Sequence, residues 1–306
     1  MGDIIHTLPA VRALKIGHPH TPITWVVEPK WAPLLEQNPF VDRVVTLDRA
    51  SFRGLVDSRR ALRQCNYGLA VDFQGLLKSA MVAVAAQPAT IYGFDASLVR
   101  ERAAALFYPH KICTAATHVV DRNLDLASAA GGVCGGAPAF PLPPGRPEGE
   151  LPAGDFVLAS PLAGWGSKQW PLAHYRELAG RLHSELGIPL VLNGPPGPPF
   201  GDIAPAVAHY SGLPGLIYAT HRASAIVGVD SGPLHLAAAL EKPGVAIFGP
   251  TDPARNGPYG KSLRVLRSTA AVTTYKRSAA IDKSMQNISP EEVFEILRAA
   301  LRCRCS

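Results

Sequence analysis

The sequence predicts an α/β protein of two domains, each built on a parallel sheet. Apolar runs of strand length alternate with helical stretches, which is the rhythm of βαβ units. Residues 131–154 are dense in Gly and Pro, the composition of a linker, and we place the domain boundary between residues 146 and 147. With 306 residues, 47% of them apolar and 18% charged, the chain can form two cores.

The first half of the chain contains four predicted strands separated by helices. Strands are predicted at residues 24–27, 44–47, 67–73 and 91–94, and helices at 8–15, 31–37, after Gly75, near 98–108 and at 118–130. The chain begins at the turn that would follow an apolar strand, so we expect the first strand of the N-terminal domain to be missing. Each buried apolar side chain of such a strand is worth about 1.5 to 3 kcal/mol. Its loss is expected to be destabilising.

The second half follows the same alternation. Strands are predicted at residues 156–160, 189–193, 225–229, 244–248 and 263–266, and helices at 172–186, from 234 and at 290–302. The last helix is amphipathic, with Phe294, Ile296, Leu297 and Leu301 in its apolar stripe. Residues 194–201, GPPGPPFG, predict a rigid loop.

One continuous stretch, residues 227–260, predicts strand, sharp turn, helix, strand and polar loop. Asp230-Ser231-Gly232-Pro233 supplies the turn, with Pro at the start of the helix. A helix start has backbone N–H groups without partners and a partial positive charge, and open parallel sheets bind ligands at the carboxyl ends of their strands. The stretch therefore predicts an anion site. An ordinary βαβ crossover is the alternative.

Charge and cysteine content narrow the class of protein. The net charge of +6 favours an anionic partner, but no basic tract is interleaved with aromatic residues, so we expect no nucleic acid. We find no apolar run of membrane-span length and no export signal, and we expect a cytoplasmic protein. The five cysteines give no disulfide framework or zinc site, and we expect free thiols. They are Cys65, Cys113, Cys134, Cys303 and Cys305.

Five segments carry a resemblance to a known family. VDSGPLHLAAAL followed by FGPTDPARNGPYG is similar to the carboxyl-terminal signature of the bacterial lipopolysaccharide heptosyltransferases, glycosyltransferase family nine. GDIIHTLPAVRAL, VDFQGLLKSA and SKQWP match further motifs in the right order, so the resemblance covers nearly the whole chain. Residues 194–201 depart from it, because family members continue there into a helix that begins with an acidic residue.

The resemblance implies the GT-B architecture, two facing Rossmann-like domains whose last helix packs back towards the first domain. The N-terminal domain would bind the acceptor and the C-terminal domain the nucleotide sugar. The implied reaction is an inverting, metal-independent transfer of heptose from ADP-heptose to the inner core, Kdo-lipid A, of lipopolysaccharide. The expected partners are therefore an ADP-sugar donor and a lipid A-Kdo acceptor at the membrane surface, with the protein peripheral on the inner face of the cytoplasmic membrane.

Asp3 lies in the turn ahead of the predicted helix, where its carboxylate can cap the helix or face the cleft. The resemblance points to Asp3 as the base that takes the proton of the acceptor hydroxyl, which is worth about 10² to 10⁴ in rate. Inverting transfer needs this one carboxylate, whereas retaining hydrolysis needs two.

The candidate donor-binding residues lie in the C-terminal domain. Lys168 is our candidate cation for the departing diphosphate, with a surface lysine as the alternative. Ser231 and Gly232 would offer N–H groups at the helix start. Asp230 would order the loop or meet sugar hydroxyls, and His235 would reach a phosphate or the sugar unless it satisfies a local carbonyl.

The candidate acceptor-binding residues lie in the N-terminal domain. Arg100 matches a segment that faces the acceptor in the family. Arg49, Arg53 and Lys78 stand where the family has basic residues for acceptor phosphate and carboxylate groups. Each of them is alternatively a solvated charge, and Glu101 is placed to pair with Arg100.

We expect no metal and no cofactor. The sequence has no Asp-x-Asp pair, and His18-Pro19-His20 lacks a third ligand. Two other functions stay open. A sugar-nucleotide epimerase or hydrolase of the same fold would act on the donor alone, and a catalytically impaired relic would bind the donor without turnover. The sequence gives no indication of an oligomer.

Overall fold

The computed structural model describes residues 1–49, 51–197, 200–274 and 276–302. The chain divides into two compact units, one of residues Asp3–Pro143 and one that runs from Pro144 onward and includes Met1–Gly2. The division falls within the Gly- and Pro-rich segment, close to the boundary that we expected between residues 146 and 147. No helix in the described residues is long and apolar enough to cross a membrane.

The N-terminal unit contains two separate parallel sheets. Its strands are β1 (Thr24–Val27), β2 (Arg43–Thr46), β3 (Leu69–Asp72), β4 (Thr90–Phe94) and β5 (His110–Ile112). Its helices are α1 (Gly2–Gly17), α2 (Phe52–Leu62), α3 (Leu77–Ala85), α4 (Val119–Ala129) and two 3-10 helices, Pro29–Leu35 and Arg102–Phe107. β1 pairs with β2, and β3, β4 and β5 form the second sheet in that order. Among the described residues no strand joins the two sheets.

Three predictions for this unit are corrected by the structure. Helix α1 begins at Gly2 instead of residue 8, and burial of Ile4, Ile5 and Leu8 stabilises the additional turns. Asp3 consequently lies inside the first turn of the helix. The predicted helices at 31–37 and near 98–108 are short 3-10 helices, and β5 was not predicted.

The C-terminal unit is built on one fully parallel sheet of six strands. The strands are β6 (Val157–Ser160), β7 (Leu190–Gly194), β8 (Val207–Tyr210), β9 (Ala225–Val229), β10 (Gly244–Phe248) and β11 (Leu263–Arg267). The helices are α5 (Leu172–Leu186), α6 (Leu213–Arg222), α7 (Gly232–Ala239), α8 (Pro253–Asn256), α9 (Lys283–Gln286) and α10 (Pro290–Arg302). β8, α6, α8 and α9 were missed, since β8 is an edge strand with an exposed Val207 and a polar His209.

The sheet of this unit is covered on both faces. In β6, Val157 and Ala159 belong to the core beneath α5 and α10, whereas Leu158 belongs to the opposite core beneath α6 and α7. β6, β7, β9 and β10 are buried along their whole length, which explains why they are continuous apolar runs. Helix α10 packs on α5, β9 and β10. The predicted packing of α10 towards the N-terminal domain stays a prediction.

The strand order of this sheet is β11-β10-β9-β6-β7-β8. It is doubly wound, because the connections run to one side from β6 through β8 and to the other side from β9 through β11. The order reverses between β6 and β9. In such sheets ligands bind outside the carboxyl ends of the two strands at the reversal. We therefore expect a ligand site at the segments that follow Ser160 and Val229.

A buried hydrogen-bond network stabilises the N-terminal unit at the end of β3. The carboxylate of Asp72, 5% exposed, accepts from Tyr108 Oη at 2.6 Å, from Ser79 Oγ at 2.7 Å and from the Gln74 N–H at 2.9 Å. Burial, together with the neighbouring charge of Asp72, raises the pKa of the Tyr108 phenol above its usual value. Tyr108 therefore stays a donor at all ordinary pH values.

Tyr108→Phe is expected to lower the free energy of unfolding by about 1.5 to 3 kcal/mol, because it removes a hydrogen bond to a buried charge. Tyr67→Phe is the matched control in the same unit, since the Tyr67 hydroxyl is buried without a hydrogen-bond partner among the described residues. Its effect should stay within about 0.5 kcal/mol. Urea denaturation measures both, and equal effects would show that the Tyr108 bond contributes nothing.

Candidate active site

Three side chains converge at the carboxyl edge of the C-terminal sheet. Asp230, which directly follows β9, accepts from Lys168 Nζ at 2.6 Å and from Thr251 Oγ1 at 2.7 Å, both on its Oδ2. The side chains of Asp230 and Lys168 are only 8% and 16% exposed. Lys168 follows β6 and Thr251 follows β10, so the cluster ties together the loops of three adjacent strands at the reversal of the sheet order.

The loop of Lys168 is fixed by its neighbours. Lys168 ends a short 3-10 turn, Gly166–Lys168, in which the Ser167 N–H donates to the carbonyl of Ser278 at 3.1 Å. A Cβ atom on Gly166 would lie 1.9 Å from the Ala279 carbonyl oxygen, so the backbone can pass there only with glycine. Trp170 is 1% exposed and donates from Nε1 to the Ile288 carbonyl at 2.9 Å. Lys168 is therefore a positioned, largely buried cation and not a surface lysine.

One aromatic ring lies close to this lysine and to a second cation. Lys168 Nζ is 4.2 Å from the ring centroid of Trp165, and Arg277 Cζ is 5.5 Å from the same centroid. Both are within the range of cation–π attraction. The sequence analysis missed Trp165 and Arg277, because both lie outside the recognised motifs.

Helix α7 begins beside the same carboxylate. Ser231 is its N-cap residue, but its side chain makes no capping bond, and Ser231 Oγ is buried without a hydrogen-bond partner among the described residues. Gly232 and Pro233 open the helix, as predicted from the turn. His235 is 7% exposed and its Nε2 lies 3.9 Å from Asp230 Oδ1, too far for a hydrogen bond. The structure thus brings Lys168, Asp230, Ser231, Gly232 and His235 together.

Thr251 is a site residue that the sequence analysis did not single out. It is 4% exposed and its hydroxyl donates to the carboxylate of Asp230. A signal was present, since GPTDP directly follows the buried strand β10 at the ligand-binding edge. The predicted loop in fact turns into the short helix α8, whose N-cap is Asp252.

In the N-terminal unit the candidate base is held by an arginine. The two carboxylate oxygens of Asp3 accept from Arg100 Nη1 at 3.0 Å and Nη2 at 2.6 Å. Burial raises the pKa of the Asp3 carboxyl, but the charge and the hydrogen bonds of Arg100 outweigh it, so the pKa lies below its usual value of 3.8. Glu101 does not pair with Arg100, because it accepts from the Leu77 N–H at the start of α3 at 2.7 Å.

A second carboxylate forms ion pairs with three cations. Glu28, which directly follows β1, pairs with Arg49, with Lys30 at 3.4 Å and with Lys78 at 3.8 Å. Burial raises the pKa of Glu28, but the three cations, Arg49 foremost, lower it below its usual value. We call Glu28, Lys30, Arg49 and Lys78 the Glu28 cluster. Two of the predicted acceptor residues thus meet around a carboxylate that the sequence analysis missed.

Arg53 lies outside this cluster. Its side chain is 94% exposed and its contact is Asp57, one helical turn further along α2, at 3.9 Å. An exposed pair of this kind on one helix contributes little to stability. The alternative interpretation, a solvated charge, describes Arg53 in this structure.

The cysteines and possible metal ligands give no further site. Cys65, Cys113 and Cys134 are exposed free thiols, whereas Cys303 and Cys305 lie outside the described residues. In the part of the chain that the structure describes, no group of three or more His, Cys, Asp or Glu side chains is placed to hold a metal ion. Residues 198 and 199 of the predicted rigid loop are also outside the described ranges.

A cation and a helix N-terminus at the reversal of a doubly wound sheet are suited to a phosphate-bearing ligand. Comparisons with known proteins identify the family of the chain. The model of glycosyltransferase family 9 (heptosyltransferase) matches residues 56–285. Lipopolysaccharide heptosyltransferase 1 of Escherichia coli is 31% identical over 301 residues, 88% of this chain and 91% of the relative. The protein of the same description from Pseudomonas aeruginosa is 31% identical over 299 residues, 86% of this chain and 79% of the relative.

Solved structures show the same fold. E. coli heptosyltransferase WaaC with ADP matches with a TM-score of 0.77 at 26% identity, and the match covers 98% of this chain and 97% of that chain. The chain belongs to glycosyltransferase family 9. It is a glycosyltransferase enzyme of GT-B architecture, as the sequence motifs predicted.

A double-mutant cycle tests the ion pair of the site. Lys168→Met and Asp230→Asn are each expected to lower the free energy of unfolding by about 3 to 5 kcal/mol, because each disrupts a largely buried pair and Lys168→Met leaves the carboxylate without its cation. The double variant should be less destabilised than the sum, by about 0.5 to 3 kcal/mol. The control cycle uses Arg176→Met and Asp202→Asn, an exposed pair at 3.2 Å. Its coupling should stay below about 1 kcal/mol, and equal coupling in the two cycles would contradict the assignment.

Proposed function

We propose that this enzyme transfers a heptose from ADP-heptose to the inner core, Kdo-lipid A, of lipopolysaccharide. The observation that carries the proposal is the buried Lys168–Asp230 pair beside the start of α7, at the ligand-binding edge of the C-terminal sheet. Two relatives that are 31% identical to this chain support the proposal, because both are described as lipopolysaccharide heptosyltransferases. A solved relative at 26% identity, with a TM-score of 0.76, is described as a complex with ADP-2-deoxy-2-fluoro heptose.

The C-terminal unit would hold the nucleotide diphosphate. An ammonium group has three N–H donors, and Lys168 uses one of them on Asp230, which leaves donors for phosphate oxygens. The N-terminus of α7 adds a partial positive charge, and the unpartnered Ser231 hydroxyl adds a donor. Negative charge grows on the diphosphate as the glycosidic bond breaks. Groups fixed in advance around it stabilise the transition state more than the bound donor.

The N-terminal unit would activate the acceptor. As the acceptor hydroxyl oxygen bonds to the anomeric carbon, the bond from that carbon to the diphosphate breaks and ADP leaves. The hydroxyl becomes strongly acidic in this process, and its proton passes to the carboxylate of Asp3. Arg100 keeps that carboxylate ionised and oriented through two hydrogen bonds. With one carboxylate in the role of base, the transfer is inverting.

Anionic groups of the acceptor would bind to the Glu28 cluster. Three cations surround one carboxylate there, so the cluster has an excess of two positive charges. The arginine of the cluster suits planar carboxylates and phosphates, and the lysines act as point charges. The reaction is proposed to be metal-independent, with Lys168 and the start of α7 as the positive groups for the leaving diphosphate.

The test is release of ADP from ADP-heptose with and without Kdo-lipid A, in buffer with and without a chelator. Transfer predicts release that requires the acceptor, persists with the chelator and gives a product of inverted anomeric configuration by NMR. Release without the acceptor would instead identify a hydrolase or epimerase. Donor binding without turnover under any acceptor would identify an impaired relic.

Asp3→Asn is expected to lower the transfer rate by at least about 10²-fold, because Asn keeps the size of the side chain but is no base. The donor Kd should stay near that of the unchanged enzyme. Asp42→Asn is the matched control, because Asp42 is 43% exposed and pairs with Lys15, while Asp3 is 41% exposed and pairs with Arg100. Full activity of Asp3→Asn would remove Asp3 from the mechanism.

The pKa of Asp3 gives a second check on its partner. The pKa should lie below 3.8 in the unchanged protein, and Arg100→Gln should raise it, because the effect of burial is then opposed by less positive charge. The pair therefore stabilises the fold above the ordinary Asp pKa, and this contribution is lost as the pH falls through the lowered value. Titration of the Asp3 carboxyl carbon by NMR measures the shift. An unchanged pKa in Arg100→Gln would show that the arginine does not set the charge of Asp3.

A further inference from the structure

Helix α3 presents large apolar side chains to solvent along one stripe. Leu77, Met81 and Val84 follow the spacing i, i+4, i+7, which places them on one side of the helix. Met81 is 58% exposed, and Leu77 and Val84 are 38% and 43% exposed. The neighbouring 3-10 helix Arg102–Phe107 adds Leu106, 80% exposed, and Phe107. None of these exposed apolar side chains has a part in the chemistry described above.

These side chains lie on elements that are packed together. Helix α3 contacts the 3-10 helix, and the shared core includes Ala80, Ala104 and Ala105, all buried. Small residues thus form the contact while the large apolar ones remain outside, the reverse of an ordinary surface helix. We call Leu77, Met81, Val84, Leu106 and Phe107 the α3 apolar surface. Exposed large apolar residues grouped on two elements that pack together are typical of interaction sites.

Basic residues border this surface. Arg63, which caps α2, donates from Nε to the Ala85 carbonyl at the far end of α3, at 3.4 Å. Arg102 is the exposed first residue of the 3-10 helix, and Lys78 is the second residue of α3. Helix α2 itself has three arginines and one aspartate. Glu101, the carboxylate at this border, accepts a hydrogen bond from the Leu77 N–H.

We propose that the α3 apolar surface docks on a bilayer that contains anionic lipids. Apolar side chains beside arginines and lysines suit the boundary between acyl chains and negatively charged headgroups. A protein partner or a second copy of this chain would not require the basic border. The surface is also linked to the Glu28 cluster, because Leu77 of the surface and Lys78 of the cluster are consecutive residues of α3. In this respect the inference rests on the proposed function, in which the acceptor sugar is anchored to a lipid.

The test is sedimentation of the full chain with vesicles, which needs no catalytic activity. Vesicles of phosphatidylcholine alone are compared with vesicles that contain about one third phosphatidylglycerol. We expect binding to the anionic vesicles that weakens at high salt. Met81→Glu with Leu106→Glu should lower the partition coefficient at least about tenfold, because two inserted apolar groups become charged. Val272→Glu is the control, since Val272 is 78% exposed in the C-terminal unit, and it should bind as the unchanged protein does.

Folding and activity controls separate the possible outcomes. Circular dichroism and the thermal midpoint of the double variant should match those of the unchanged protein, as expected of exposed positions, and a delipidated acceptor should be used at an unchanged rate. Vesicle binding equal in all variants overturns the proposal. So does a dimer in sedimentation velocity that the double variant dissociates, without vesicle binding. If the unchanged protein binds the anionic vesicles but transfers no heptose, the proposed function is refuted and the docking surface is not.

Discussion

A carboxylate buried at the carboxyl end of β9 has to be compensated, and the ligand-binding edge of the C-terminal unit is arranged around that requirement. Asp230 is buried to 8% exposure, where an unpaired charge would be strongly destabilising. Its compensation comes from Lys168 after β6 and from Thr251 after β10. The loops that follow three neighbouring strands are thereby held in fixed positions. A diphosphate entering this edge would find its cation already placed.

The two carboxylate arrangements of the N-terminal unit have different electrostatic results. Asp3 meets one arginine, so the pair is close to neutral and the carboxylate remains available as an acceptor of hydrogen bonds. Glu28 meets three cations, and a positive excess remains around it. The first arrangement suits a group that handles a proton, and the second suits recognition of an anion. The same residue types would thus serve two purposes, because the number of cations around each carboxylate differs.

Much of the fold followed from local sequence signals, and the remainder depended on contacts that no local pattern contains. The stretch from Val227 to Gly260 could be predicted because buried parallel strands are continuous apolar runs and the turn contains Gly and Pro. Lys168 and Asp230 were both selected, yet their bond joins residues 62 positions apart. Thr251 and Glu28 were omitted for the same reason, since their contacts also join residues that are far apart in the sequence. The start of α1 was misplaced because its first turns are stabilised by burial of apolar residues, a tertiary effect that the local pattern does not contain.

The separation of the site residues along the chain has a consequence for folding. Lys168 and Asp230 are 62 positions apart and Thr251 lies a further 21 positions on, so no segment shorter than this can assemble the cluster. β6 and β9 pair directly although β7 and β8 lie between them in sequence. Pairing over such distances closes long loops and is slow compared with helix formation. During synthesis, the anion-binding edge would therefore arise late, only after the strand β10 and its loop have left the ribosome, and until then Asp230 would remain hydrated.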